Sequence, residues 1–321
     1  MKNKIIKSAV FLLILFILLI ILSFIMIPKN NTKEAGMENI NANGILGEKE
    51  NTIDVLVVGD SEAYASIIPM KIWKEYGFTV YDCSSSEQTL VQSIQYVQEA
   101  LKNQNPQIII LEANNIYRTE SMENTLYEIA GKILPIIQYH NRWKSLTGND
   151  LVNTPNYTYT DNLKGYQYKT EVFEADSSNY MTYTEDLNPI PRSNKIYVKM
   201  INEYCKKNNI KFIIMSMPST RNWKYANHNA VKAFAKQENI EFVDCNMEKD
   251  KINIDWKNDT RDGGDHLNFN GAKKVTAYIG NYLKNLNILE DHRQDEKYSS
   301  WNEELNQYEN LIKNKSECAV E

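Results

Sequence analysis

Histidine and cysteine are scarce in this chain, with four of each among 321 residues. The cysteines (Cys83, Cys205, Cys245 and Cys318) are too few and too scattered for a disulfide scaffold, and they lack the spacing of a metal site. Small buried side chains or a single bridge are the readings that remain. Positive charge is not in excess either, with 36 Lys and Arg against 41 Asp and Glu. A net charge of -5 offers no basic footprint and excludes the usual electrostatic route to nucleic acid. No cluster of histidine and carboxylate has ligand spacing, so neither a metal nor another cofactor is expected, and a phosphatase or metal hydrolase is disfavoured.

What the chain does have begins at its first residues. Three lysines precede Ala9 to Ile27, an apolar run interrupted only by Ser23. As a helix this run reaches about 28 Å, close to the hydrocarbon thickness of a bilayer. Ile25-Met26-Ile27-Pro28 lacks a small-x-small cleavage site, which favours an uncleaved anchor over a signal peptide. Lysines on the N-terminal side predict a single-pass protein of the cell membrane, with everything after Pro28 outside the cytoplasm. Residues 29–52 are polar and read as a tether.

The rest alternates short β-branched runs with helical periods. Ile53 to Val58 reads as a strand, Pro69 to Tyr76 as a helix closed by Gly77, and Phe78 to Tyr81 as a second strand. A helix over Gln88 to Leu101 and a strand over Ile108 to Leu111 follow. Residues 121–193 form an insertion, helical at first and then rich in Tyr, Asn, Asp and Thr. The alternation resumes with a helix at Asn194 to Lys206, a strand at Lys211 to Met217, a helix at Asn227 to Glu238 and a strand at Ile240 to Val243. Ala272 to Leu286 reads as a packing helix. The tail from 291 to 321 reads as an exposed helix or a fraying end. Such alternation predicts a doubly wound α/β fold, a three-layer αβα sandwich of flavodoxin-like type on a parallel sheet, with one domain over residues 53–290.

Chemistry in such sheets collects at the carboxyl ends of the strands, where Ser61, Asn114 and Ser219 fall. Gly59-Asp60-Ser61 follows the first strand directly; taken alone, it is an ordinary strand-terminating turn. The second motif is Asp262-Gly263-Gly264-Asp265-His266-Leu267-Asn268. A serine hydroxyl needs a base within reach, and the base needs a carboxylate to fix its tautomer. His266 has neighbouring acids, whereas His140, His228 and His292 sit in or beside predicted helices without such a loop.

In order and placement these two motifs resemble the SGNH/GDSL hydrolase superfamily, whose first block is a GDS after the first strand and whose last is Asp-x-x-His before the final helix. The resemblance covers about residues 53–287. It extends to a membrane-anchored bacterial subgroup similar to proteins of cell-surface polysaccharide O-acylation. It implies Ser61 as nucleophile and His266 as base. The position three before His266 is Gly263, so Asp262 and Asp265 compete for the orienting role. Neighbours in an extended segment face opposite ways, which turns Asp265 from the ring, and the glycine pair lets Asp262 fold back. If neither reaches, a Ser-His dyad is left.

The family's oxyanion-hole glycine is absent from Asp82 to Gln88, leaving Ser85 or Ser86 as donors beside the Ser61 amide. The family's asparagine is matched by Asn114 or Asn115, either of which also suits a turn cap. Tyr139-His140-Asn141-Arg142-Trp143 and the tyrosines between Tyr157 and Tyr183 fit either a sugar cleft or ordinary packing.

The implied activity is acyl-ester chemistry on an extracytoplasmic carbohydrate. Water as acceptor makes an esterase, and a sugar hydroxyl makes an O-acetyltransferase fed by a multi-pass membrane acyltransferase. The competing reading is a non-catalytic envelope protein that binds glycan or a membrane partner.

Overall fold

The computed structural model describes residues 2–119 and 121–318, with side chains through residue 314. In chain order the elements are α1 (Lys2–Met26), α2 (Ile40–Asn43), β1 (Val55–Val58), α3 (Ser61–Ser66), α4 (Pro69–Tyr76), β2 (Val80–Asp82), α5 (Leu90–Ala100) and β3 (Ile108–Glu112). There follow α6 (Met122–Ile133), α7 (Ile136–Tyr139), α8 (Arg192–Lys207), β4 (Lys211–Ser216), α9 (Tyr225–Glu238), β5 (Glu241–Asp244), α10 (Lys249–Ile252), α11 (Phe269–Asn285) and α12 (Ser299–Cys318).

The five strands form one parallel sheet in the order β2-β1-β3-β4-β5. Side chains alternate between faces along a strand, and the two cores divide accordingly. Leu56, Val58, Ile109, Leu111 and Ile214 meet α5, α8 and α9 on one face. Val55, Val57, Ile108, Ile110 and Ile213 meet α3 and α11 on the other. Burial on both faces explains why these strands are continuous Val and Ile runs. The doubly wound α/β class predicted above is the fold observed.

Local signals set the helix starts. Thr89 caps α5 in a reciprocal box with Gln92, Asn268 accepts from the Asn270 and Gly271 amides at the start of α11, and Pro69 opens α4. The chain leaves β1 for β2 on one side and reaches β3 on the other, so the topological switch lies between β1 and β3. Ser61 and Asn114 follow those two strands.

Two segments differ from the sequence reading. Where a tether is expected at 29–52, Met37, Ala42 and Ile45 are buried. Asn31 also donates to the Asn43 and Tyr159 carbonyls. The expected exposed or frayed tail instead docks α12. Trp301 packs 5.5 Å from Trp73, and Lys164 bonds Glu48 and Glu304 at 2.6 Å each. Neither contact shows as periodicity, because each joins segments far apart in sequence.

α1 is long and apolar enough to cross a membrane. Cys83, Cys205 and Cys245 are buried free thiols, and the Cys318 side chain lies outside the described residues.

Candidate active site

Ser61 is the first residue of α3, placed at the carboxyl edge of the sheet by Gly59 and Asp60. A Cβ at Gly59 would stand 2.4 Å from the Glu112 Cβ, so only glycine lets β1 pass β3 this closely at the turn. Asp60 is fully buried and caps α3, accepting from the Glu62 amide at 3.1 Å.

His266 reaches Ser61 from the loop before α11. That loop is a closed structure: Thr260 pairs with Leu267, the Arg261 amide donates to the His266 carbonyl at 3.1 Å, and the Gly264 amide donates to Thr260 Oγ1 at 2.8 Å. Gly263 and Gly264 both adopt positive φ, 76° and 94°, and a Cβ at Gly264 would collide with Thr220. The turn they make carries Asp262 back over His266. His266 Nε2 lies 2.7 Å from Ser61 Oγ, and its Nδ1 lies 2.6 Å from Asp262 Oδ2. Asp262 Oδ1 also accepts the His266 backbone N–H at 2.7 Å. Burial works to raise the Asp262 carboxyl pKa, but the side-chain and backbone bonds from His266 outweigh it and hold the group below its ordinary value.

Asp265 takes a different place. Its nearer oxygen is 3.7 Å from Nδ1, and its other oxygen accepts from the Asn222 amide. Asn222 also donates to Glu62, so one side chain ties the His266 loop to the first turn of α3. Ser219 supports the same loop, its hydroxyl bridging to the Gly264 and Asp265 carbonyls at 3.0 and 3.1 Å.

Of the five oxyanion candidates, Ser61 opens α3 and the other four separate. Asn114 stands beside the Ser61 turn, its side-chain amide donating to Asp60 Oδ2 at 3.0 Å. Asn115 is fully buried and committed elsewhere, donating to the Gln88 carbonyl at 2.5 Å and accepting from Ser93 at 3.1 Å. The Ser85 hydroxyl is bound to Gln88 at 2.9 Å. Ser86 is exposed, and its hydroxyl, with that of Ser61, interacts with Tyr64.

Sequence reasoning missed Tyr64, Asn222, Arg118 and the acids behind the serine. Tyr64 had a legible signal, since it lies three residues after Ser61 on the same helix face. Burial raises its hydroxyl pKa, opposed by Arg261 and the two serines. Arg118 pairs with Asp60 Oδ2 at 2.8 Å. Asp60, Glu62 and Glu112 bring carboxylate oxygens within 4.8 Å of one another. Burial, then the charge of Asp60, raises the Glu62 and Glu112 carboxyl pKa values well above the carboxylate range. Three buried acids, one of them ion-paired with Arg118, therefore stand behind Ser61.

Among the described residues, two groups bring oxygen or nitrogen donors close enough to consider for a cation. In Asp262, Asp265 and His266, both ring nitrogens are already engaged. In Asp60, Glu62 and Glu112, both Glu112 oxygens accept backbone amides, from Asn114 at 2.7 Å and Asn115 at 3.1 Å.

A groove of about 1020 Å³ runs between residues 174–178 and 253–257. It adjoins the His266 loop, where the Ala175 Cβ faces Gly264. The tyrosines predicted for either role divide: Tyr166 is buried, Tyr183 is exposed, and Tyr180 bonds Asn246 at 2.9 Å while meeting Trp256 edge-on at 4.7 Å.

No protein-family model matches the sequence, and no curated protein matches it. Among solved structures, the chain is similar to a GDSL-like lipase from Bacteroides thetaiotaomicron VPI-5482, at 14% identity and TM-score 0.36 over 72% of this chain and 88% of that one. The lipase/acylhydrolase from Enterococcus faecalis matches at 10% identity and TM-score 0.39, over 73% and 97%. An acetyl xylan esterase matches at 10% identity and TM-score 0.37, over 73% and 100%. The α/β assignment stands on the chain's own sheet order, β2-β1-β3-β4-β5.

Proposed function

We propose that the chain is a serine-dependent acyl-ester enzyme of the SGNH/GDSL kind, acting outside the cytoplasmic membrane on an O-acylated carbohydrate of the cell envelope. The observation that carries this reading is the relay Ser61 Oγ, His266, Asp262, with contacts of 2.7 and 2.6 Å. A neutral imidazole with Nδ1–H bonded to a carboxylate presents the Nε2 lone pair to the hydroxyl.

Ser61 Oγ attacks the ester carbonyl as His266 takes its proton, giving a tetrahedral oxyanion. The Ser61 amide and the second N–H of the Asn114 side chain, the first being held by Asp60, are the proposed donors to that oxygen. Collapse expels the alcohol, which receives the proton from His266, and leaves an acyl-serine. His266 then deprotonates the acceptor, which takes the acyl group, and returns that proton to the departing Ser61 Oγ. Water yields a carboxylic acid; a sugar hydroxyl yields an O-acylated sugar.

The anchor and the resemblance to the surface-polysaccharide subgroup favour the sugar acceptor, with acyl groups delivered by a multi-pass membrane acyltransferase. The test is to incubate the detergent-solubilised full chain with a chromogenic acetyl ester and oligosaccharides and analyse products by mass spectrometry. Acetylated sugar supports the transferase; free acetate alone leaves an esterase; no turnover of any ester removes the proposal.

A further inference from the structure

The helix α6 is amphipathic the wrong way round for a domain surrounded by water. Met122, Leu126, Ile129 and Ile133 recur every three to four residues, which places them on one stripe, and they are 81%, 59%, 45% and 70% exposed. The opposite side meets α5 through polar groups. Gln92 donates to Glu128 at 3.1 Å, Gln95 to the Glu128 carbonyl at 3.4 Å, and Lys132 bonds Gln98. Turning half-buried polar groups toward the domain while exposing a continuous apolar stripe has a physical rationale where the outer surroundings are themselves apolar.

The next segment, α7, packs on α6 and ties it to α1. The last turns of α1 pack on α7 and on the short turns at 140–144 and 148–151. Arg142, buried and paired with Asp150 at 2.7 Å, donates to the Met26 carbonyl at 2.6 Å. The Ile136 amide donates to Ser23 Oγ at 3.2 Å. The guanidinium thus caps the carboxyl end of α1 and binds it to the domain.

Length supplies the third argument. From Lys7, the last charged residue before the apolar run, to Ser23 the helix rises about 24 Å. The hydrocarbon layer is about 30 Å thick, so a spanning α1 is already in contact with the domain before it has cleared the layer. The elements that touch it must sit at the lipid boundary. There they present Trp143 at 63% exposure and Val152 at 74%, with Lys144 over the Trp143 ring at 5.7 Å. Tryptophan and lysine are the side chains that bridge headgroups and acyl chains.

We propose that α6, together with the turns at 140–144 and 148–151, forms a collar seated in the outer leaflet around the exit of α1, with the bilayer surface as its occupant. This rests on α1 crossing the membrane. The cluster Tyr139 to Trp143 is then part of the seat: Arg142 fastens the anchor and Trp143 enters the lipid.

The test uses the full chain in vesicles of phosphatidylcholine and phosphatidylglycerol carrying brominated acyl chains, which quench tryptophan on contact. Trp143 is read as the difference between the native chain and Trp143→Phe. Leu126→Trp and Phe16→Trp, each in the Trp143→Phe background, report α6 and α1. Lipids brominated high on the chain are expected to quench Trp143 and Leu126→Trp, and lipids brominated near the chain end to quench Phe16→Trp. Quenching of Phe16→Trp alone would overturn the collar and leave the anchor standing. Failure to quench Phe16→Trp would remove the anchor and the collar with it. Trp143 and Leu126→Trp left unquenched in vesicles, yet shielded from acrylamide in native membranes, would assign the face to a membrane protein and overturn the lipid proposal.

Discussion

Asp262 grips His266 twice, through its backbone N–H at 2.7 Å and through the ring Nδ1 at 2.6 Å. A single carboxylate therefore sets both where the loop places the histidine and how the ring is turned. Asp265, the immediate neighbour of His266, makes neither bond and serves Asn222 instead.

The two aspartates should accordingly differ in kind. Asp262→Asn is expected to lower kcat on a chromogenic acetyl ester by about 10³-fold or more, because the amide cannot hold the imidazolium that forms. Asp265→Asn keeps a carbonyl for Asn222 and should cost less than about tenfold. Steady-state kinetics on both variants checks this, and equal losses would contradict the assignment.

Asn114 and Asn115 offer a second contrast. Asn114→Ala removes a donor beside the nucleophile and should lower kcat by about 10²- to 10³-fold at little cost in folding. Asn115→Ala strands the buried Gln88 carbonyl and Ser93 hydroxyl, and should cost about 1–3 kcal/mol of stability. Paired kinetics and urea unfolding separate the two outcomes.

Much of this site was legible because its chemistry needs particular residue types at strand ends. A serine after β1 and a histidine before the last helix are local features, and the glycine pair pointed to a turn over His266. Asn222 and Arg118 were not legible, since each acts across a distance that only folding closes: Asn222 meets Glu62 from 160 positions away. The α12 contacts were hidden for the same reason, because the Lys164 partners come from Glu48 and Glu304. The reversed amphipathicity of α6 was invisible too; periodicity reveals a stripe but not which way it faces.

Lys164 is wholly buried between those two glutamates and over the Trp301 ring at 4.7 Å. Lys164→Met leaves two enclosed carboxylates without a cation and should destabilise the chain by about 3–5 kcal/mol. Hydrogen exchange should show α12 losing protection first, because its Glu304 loses its partner. Unchanged protection in α12 would count against this role.

Asp82 gives a pH prediction. The carboxyl is fully buried, its Oδ2 has no hydrogen-bond partner among the described residues, and burial lifts its pKa to about 7. Between the unfolded value of 3.8 and about 7 the unfolded chain has released this proton while the folded chain keeps it. Stability therefore falls as pH rises through that window, by about 4 kcal/mol in all. Asp82→Asn retains the acceptor for the Ser84 amide and should flatten the stability profile from pH 4 to 7, as measured by urea unfolding at stepped pH.

The central claim is that His266 activates Ser61 as a nucleophile, and a serine-directed fluorophosphonate probes it directly. Intact-mass analysis of the full chain should show one adduct, mapped by peptide analysis to Ser61, absent in Ser61→Ala and formed far more slowly in His266→Gln. No adduct on the native chain, or one that persists undiminished in Ser61→Ala, would contradict the account.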